Sequence, residues 1–132
     1  MTVSRATRYG VLATGALLAG GLSYVGLVDP HRPGAVFPRC PFLLLTGWDC
    51  PFCGGLRMTH DVLHGDLAGA VADNAFLLLG LPLLAAWGLS RWYRGRPVLT
   101  GAMATVLVIA ALGWTVLRNL PGFPLAPTLA AG

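Results

Sequence analysis

The chain has 132 residues, of which 55% are hydrophobic and only 11% are charged. A soluble domain carries about 25% charged residues, so this composition excludes an ordinary soluble protein and indicates a single membrane domain. Every basic residue is an arginine and every acidic residue an aspartate, with a net charge of +4. Because the arginines are scattered in ones and twos, they form no basic stripe and do not indicate nucleic-acid binding.

The first apolar segment covers residues 9–28 and contains no charged side chain. As a helix it extends about 30 Å, which matches the hydrocarbon thickness of a bilayer. Arg5 and Arg8 precede it, as in a signal peptide, but the segment is long for one. It also lacks a small-x-small cleavage site before Asp29. We therefore expect a retained transmembrane helix.

Two further apolar segments follow, at residues 75–90 and 98–117. Pro82 in the middle of the first predicts a kink in that helix. The end of this helix carries residues typical of the membrane interface, namely Trp87, Arg91, Trp92 and Tyr93. A basic turn at residues 94–97 leads into the third span. Prolines then exclude another regular helix in the tail, residues 118–132; they are Pro121, Pro124 and Pro127.

Arginine also predicts the orientation of the chain. Three spans place the amino terminus and the 94–97 turn on one side, and the positive-inside rule assigns these arginine-rich regions to the cytoplasm. The loop at residues 29–74 and the carboxyl end then lie outside the plasma membrane. The sequence therefore predicts an all-α, multi-pass integral membrane protein. Its expected partners are the lipid bilayer and a second membrane protein or another copy of the chain, with no nucleic acid.

The first loop holds most of the reactive side chains, between Trp48 and His64. Gly54 and Gly55 predict the start of a short amphipathic helix. Four polar residues spaced at i, i+3, i+4 and i+7 share one face of that helix: Arg57, His60, Asp61 and His64. Gly65 fits the position after a helix end, and Asp66 fits the N-cap of a second short helix over residues 67–73.

A set of motifs in residues 36–82 is specific in combination. It consists of Cys40-Pro41, Thr46-Gly47, Cys50-Pro51-x-Cys53-Gly54, Arg57, His60, Leu63-His64-Gly65-Asp66 and Asn74, with a similar Arg-Asn-Leu-Pro at Arg118. This set resembles a bacterial membrane-protein family catalogued as domain of unknown function 2752. Two positions depart from that pattern: Arg57 stands one position early, and Ala75 replaces the usual proline. The resemblance implies a membrane topology and no established activity.

The cysteines have three interpretations, of which zinc binding is the first. Cys50-Pro-Phe-Cys53-Gly has the form of a zinc knuckle, in which tight turns direct N–H groups toward two thiolates. A tetrahedral site needs two more ligands, which Cys40 and either His60 or His64 would supply. The three sulfurs should then lie within about 4 Å of one another. The second interpretation is a disulfide with one free thiol, as an oxidising compartment favours.

Thiol–disulfide exchange is the third interpretation, because Cys50 and Cys53 at a helix N-terminus would have stabilised thiolates. The strand–helix–strand pattern of a thioredoxin-like domain is missing. His60 and His64 also have a plainer interpretation, as partners of Asp61 or of lipid phosphate. We identify no catalytic residues and expect a non-enzymatic accessory or scaffold subunit with a structural cysteine cluster. The alternative is a membrane protein that handles zinc or exchanges thiols.

Overall fold

A computed structural model of the chain describes residues 4–125, and all regular structure within them is helical. The helices are α1 (Arg5–Leu27), α2 (Pro41–Thr46), α3 (Gly55–His64), α4 (Leu67–Tyr93) and α5 (Gly101–Arg118). Helices α1, α4 and α5 are long and apolar enough to cross a membrane. The predicted fold class is therefore confirmed. The end of the proline-rich tail, including Pro127, lies outside the described residues.

Polar side chains determine where two of the spans begin. The hydroxyl of Ser4 accepts a hydrogen bond from the N–H of Thr7, so α1 begins at Arg5, earlier than the apolar segment at residues 9–28. The hydroxyl of Thr100 accepts from the N–H of Met103, so α5 begins at Gly101, later than the expected residue 98. Both helix boundaries depend on capping, which an apolar run alone does not reveal.

Helix α3 lies between two glycines with left-handed backbone, Gly54 (φ 81°) and Gly65 (φ 79°). The N–H of Gly65 bonds the carbonyl of Val62 and ends the helix. The carboxylate of Asp66 then accepts from the N–H of Gly69 at 2.9 Å and caps α4. Helix α3 packs against α4 and against α1. We call residues 29–66, which include α2 and α3, the cap.

The two helices expected at residues 67–73 and 75–90 form one element, α4, whose backbone departs from helical values at Asn74 (φ −161°, ψ 83°). Pro82, where the sequence predicts a kink, lies further along α4. The Asn74 side chain explains the break, because its Oδ1 accepts from the N–H of Leu77 at 3.0 Å, as an N-cap does. The chain therefore starts a new helical segment at Asn74.

The three spans meet the cap at alternating ends. The last turn of α1 accepts a hydrogen bond from His60 at the carbonyl of Val25. Asn74, near the start of α4, donates to cap carbonyls, and so does Arg118 at the end of α5. The carboxyl end of α1, the amino-terminal part of α4 and the carboxyl end of α5 therefore lie together at the cap.

Gly54 allows the close approach of α3 to α4. A Cβ at this position would lie 2.5 Å from the carbonyl oxygen of Asp73, whereas a Cβ at Gly47 (φ 72°) would meet nothing within 4 Å. Alanine at either position lowers the free energy of unfolding by about 1–2 kcal/mol because of its left-handed backbone. At position 54 alone, the steric clash lowers it by about 1–3 kcal/mol more. We expect Gly54→Ala to unfold in detergent at a clearly lower temperature than Gly47→Ala. Equal unfolding temperatures would contradict this contact.

Candidate functional site

Three sulfur atoms meet where α2 and α3 begin, and we call Cys40, Cys50 and Cys53 the cysteine cluster. The Cys50 sulfur lies 3.4 Å from that of Cys40 and 3.1 Å from that of Cys53. All three sulfurs lie within 4.8 Å of one another, and all are free thiols. In a tetrahedral zinc site, with Zn–S bonds of about 2.3 Å, the sulfurs lie about 3.8 Å apart. The observed spacing is therefore close to that of a metal site.

The cysteines at positions 50 and 53 are connected by a tight turn that precedes α3. The N–H of Cys53 bonds the carbonyl of Cys50 at 3.1 Å, and the N–H of Gly55 bonds the carbonyl of Phe52 at 3.0 Å. The N–H of Cys50 also donates to the Cys53 sulfur at 3.2 Å. Such donation stabilises a thiolate, which is the form of cysteine that binds metals.

Two of the thiols have pKa values shifted in opposite directions. Burial raises the pKa of the Cys53 thiol far above its usual value, and the neighbouring thiols of Cys50 and Cys40 raise it further. Burial also acts upward at Cys40, but N–H donation from Leu43 and Phe42 and the thiols nearby lower its pKa overall. A thiol that retains its proton is a poor nucleophile for disulfide exchange. A bound cation, in contrast, deprotonates a coordinating thiol directly.

The end of α5 supports the cysteine turn from the carbonyl side. Arg118 is 3% exposed, and its Nη1 donates to the carbonyls of Cys53 at 2.8 Å and Cys50 at 3.3 Å. Its Nη2 donates to the carbonyl of Asp73 at 3.2 Å. The neighbouring Asn119 exchanges two hydrogen bonds of 3.0 Å with the backbone of Asp49. The sequence pointed to Arg118 only as part of a similar motif and did not reveal this role.

Asn74 supports the same turn from α4. Its Nδ2 donates to the carbonyls of Pro51 at 3.0 Å and Cys53 at 2.9 Å. Asn74 is 1% exposed, so water does not compete for these bonds. The cysteine turn is therefore held by side chains from two different spans.

The two histidines of α3 are engaged away from the cysteine cluster. The Nδ1 of His60 lies 2.7 Å from the carbonyl of Val25, and the Nδ1 of His64 lies 2.8 Å from the carbonyl of His60. The two rings lie 4.1 Å apart. Neither imidazole has a nitrogen within 4.8 Å of all three sulfurs. The structure thus brings the three cysteines together without the histidine ligand that the sequence suggested.

The other two residues of the predicted polar face of α3, Asp61 and Arg57, lie near His31. The Nε2 of His31 lies 2.9 Å from Oδ2 of Asp73 and 3.7 Å from Oδ2 of Asp61. Its Nδ1 lies 3.1 Å from Oδ1 of Asp29. The Nε of Arg57 lies 4.0 Å from Oδ1 of Asp73. We call His31, Asp61 and Asp73 the His31 cluster.

Two members of the His31 cluster, Asp61 and His31, have raised pKa values. Burial raises the pKa of the Asp61 carboxyl, opposed by His31 and assisted by the carboxylates of Asp73 and Asp66. Burial acts downward at His31, but its hydrogen bonds to Asp73 and Asp29 raise its pKa overall. Burial is thus the main cause at Asp61, whereas the neighbouring carboxylates are the cause at His31. Sequence reasoning missed His31 because it lies far from α3 and α4 along the chain.

Arg118 offers a direct test of the support under the cysteine turn. Arg118→Met keeps an unbranched stem but removes every donor, so the carbonyls of Cys50, Cys53 and Asp73 each lose a hydrogen bond to a charged group. Such a bond contributes about 1.5–3 kcal/mol. We expect a lower unfolding temperature and faster reaction of the thiols with a maleimide probe. Arg94→Met, at an exposed position, is the matched control. Unchanged thiol reactivity in Arg118→Met would show that the hydrogen bonds of Arg118 do not protect the cysteines.

The segment that contains this site matches a known family. The model of a family described as "Protein of unknown function (DUF2752)" matches residues 40–88. The chain matches no curated protein and no solved structure. The matched segment begins at Cys40 and includes α2, the cysteine turn, α3 and most of α4. The resemblance that the sequence motifs predicted is thereby confirmed over this segment.

Proposed function

We propose that the chain is a multi-pass membrane protein whose cap binds one metal ion through the thiolates of Cys40, Cys50 and Cys53. The observation that carries the proposal is the approach of three free sulfurs to within 4.8 Å of one another. Zn²⁺ is the ion that suits this site best, because it accepts thiolates in tetrahedral geometry. The protein is then a non-enzymatic accessory protein of the membrane that handles zinc.

Charge balance supports a thiolate site. Arg118 is buried, and no carboxylate of the described residues lies within 4.0 Å of its guanidinium. A buried guanidinium is costly unless a negative charge lies near it. Three thiolates with one Zn²⁺ carry a net charge of −1, which the single charge of Arg118 balances. Three neutral thiols would leave Arg118 uncompensated.

The ligand count supports exchange of the metal over a purely structural role. Structural zinc sites use four protein ligands, whereas sites that bind a further molecule keep one position open. The cysteine cluster offers three sulfurs, and the ring nitrogens of His60 and His64 lie against carbonyl groups. The fourth position is then open to water or to a ligand from a partner.

Thiol–disulfide exchange is the weaker candidate. Burial and a raised pKa make Cys53 a poor attacking thiol, which leaves Cys40, with its lowered pKa, as the better nucleophile. Residues 4–125 also contain no strand from which a thioredoxin-like scaffold would be built. A second membrane protein or another copy of the chain belongs to the proposed accessory role. Most side chains of the spans are exposed on the isolated chain, as contact with lipid alone also requires.

The proposal includes an orientation of the chain across the membrane. The amino terminus and the arginine-rich turn at residues 94–97 lie in the cytoplasm, and the cap lies on the extracytoplasmic side of the plasma membrane. The arginine distribution supports this orientation. The meeting of alternate helix ends at the cap supports the three-span arrangement that it requires.

Cobalt binding tests the thiolate site. We expect the protein, purified in detergent under reducing conditions, to bind one Co²⁺ per chain with a sulfur-to-cobalt charge-transfer band, and Zn²⁺ to displace it. Loss of a second-shell group typically weakens a metal site by about 10–100-fold, so removing a ligand by Cys40→Ser, Cys50→Ser or Cys53→Ser should cost at least about 100-fold.

His60→Ala and His64→Ala are the controls for this titration, and both should retain the cobalt band. Loss of the band in either variant would indicate a histidine ligand in place of the open position. A band that survives in Cys50→Ser, or the absence of any band in the unaltered protein, would contradict the proposal.

Reporter fusions test the orientation. Alkaline phosphatase should be active when fused after Gly132, which lies outside the described residues, and inactive when fused at Gly95. Green fluorescent protein should show the reverse pattern at the two positions. A cytoplasmic carboxyl terminus would remove either one span or the extracytoplasmic location of the cap.

A further inference from the structure

We propose a second metal site at the His31 cluster, for a divalent cation that accepts nitrogen and oxygen ligands. Its donors are one imidazole nitrogen and two carboxylate oxygens, from the loop after α1, from α3 and from α4. It shares no donor with the cysteine cluster and does not depend on the thiolate site. The chemistry also differs, because carboxylate and imidazole suit Mn²⁺, Fe²⁺ or Zn²⁺, whereas three thiolates select soft ions.

The spacing of the three donor atoms fits one ion. The Nε2 of His31 lies 2.9 Å from Oδ2 of Asp73 and 3.7 Å from Oδ2 of Asp61, and the three ligand atoms lie within 4.8 Å of one another. Neighbouring ligands at about 2.1 Å from an octahedral or tetrahedral ion lie about 3.0–3.4 Å apart. The His31–Asp73 pair already has this spacing, and a single cation reaches all three donors once the longer separations shorten by at most about 1.4 Å.

The other ring nitrogen of His31 fixes which atom faces the two carboxylates. Its Nδ1 lies 3.1 Å from Oδ1 of Asp29, an acceptor that holds the proton on Nδ1. The same Asp29 oxygen accepts from the backbone N–H of His31 at 2.9 Å, which keeps the ring in place. Metal-binding histidines commonly donate their second N–H to a carboxylate in this way. The Nε2 lone pair is then directed toward Asp61 and Asp73, where a cation is required.

One oxygen of the cluster has no partner within the described part of the chain. Oδ2 of Asp61 is buried without a hydrogen bond, and Asp61 as a whole is 7% exposed. A proton on Nε2 of His31 would serve Asp73 at 2.9 Å but would leave Asp61 at 3.7 Å unsatisfied. A metal ion satisfies both carboxylates at once. Gly69 leaves room beside this oxygen, since a Cβ there would lie 2.8 Å from it.

The net charge around the cluster also favours a divalent cation. Four carboxylates contribute negative charge, those of Asp29, Asp61, Asp66 and Asp73. Two arginines contribute positive charge: the largely buried Arg57, 4.0 Å from Asp73, and the exposed Arg32, 3.6 Å from Asp29. With His31 neutral, two negative charges remain uncompensated, and a divalent ion balances them. The His31 side chain is 34% exposed, so an ion has a route into the cluster from solvent.

Manganese titration tests this site without engaging the thiolates, for which Mn²⁺ has little preference. We expect the unaltered protein in detergent to bind one Mn²⁺ per chain, measured as loss of the free-ion signal in electron paramagnetic resonance. Asp61→Asn and Asp73→Asn, which preserve side-chain shape, should each weaken binding at least about tenfold. Asp49→Asn is the matched control, because the Asp49 contacts described above use only its backbone, and it should bind Mn²⁺ unchanged.

Two further measurements keep the test decisive. Electron spin-echo modulation from a nitrogen should appear with Mn²⁺ bound to the unaltered protein and disappear in His31→Gln. Cys50→Ser should bind Mn²⁺ normally, so failure of the thiolate proposal and failure of this one give different results. No binding at millimolar Mn²⁺, binding that persists in both aspartate variants, or a bound signal without nitrogen modulation would each overturn the site.

Discussion

The carbonyl oxygen of Cys53 accepts hydrogen bonds from two buried side chains, Asn74 in α4 and Arg118 at the end of α5. A buried carbonyl without a donor costs about 1–3 kcal/mol. The turn does not pair this carbonyl itself, because its N–H groups bond the carbonyls of Cys50 and Phe52 and the Cys53 sulfur. The cap therefore requires donors from elsewhere in the chain. This requirement determines where α4 is interrupted and which side chain ends α5.

The interruption of α4 at Asn74 stabilises both the span and the cap. Its amide oxygen caps the continuing helix at Leu77, while its amide nitrogen binds the cysteine turn. On the other side of the break, the carbonyl of Asp73 accepts from Arg118 and lies where a Cβ at Gly54 would clash. The carboxylate of Asp73 lies in the His31 cluster. Two neighbouring residues thus join the two clusters, and each cluster has one arginine beside it, Arg118 and Arg57.

The sequence predicted those features of the fold that depend on residues close together in the chain. The three apolar spans, the amphipathic α3 and the capping role of Asp66 follow from composition and short spacings, and the gathering of the cysteines was anticipated from Pro and Gly in the turns between them. Side chains that act across the fold escaped prediction. Arg118 binds the carbonyl of a residue 65 positions earlier, and His31 contacts Asp73 at a separation of 42 positions. No periodicity connects residues so far apart, so their roles appear only once the spans are assembled.

The late position of Arg118 has a consequence for how the protein is made. Ribosomes add about 5–20 residues per second, so the 65 positions between Cys53 and Arg118 correspond to about 3–13 s of synthesis. During that interval the cysteine turn exists without its arginine donor. On the extracytoplasmic side proposed for the cap, disulfide formation among three neighbouring thiols would compete with correct assembly until the third span is in place. On that proposal, insertion of the last helix is the step that completes the hydrogen bonds around the cysteine turn.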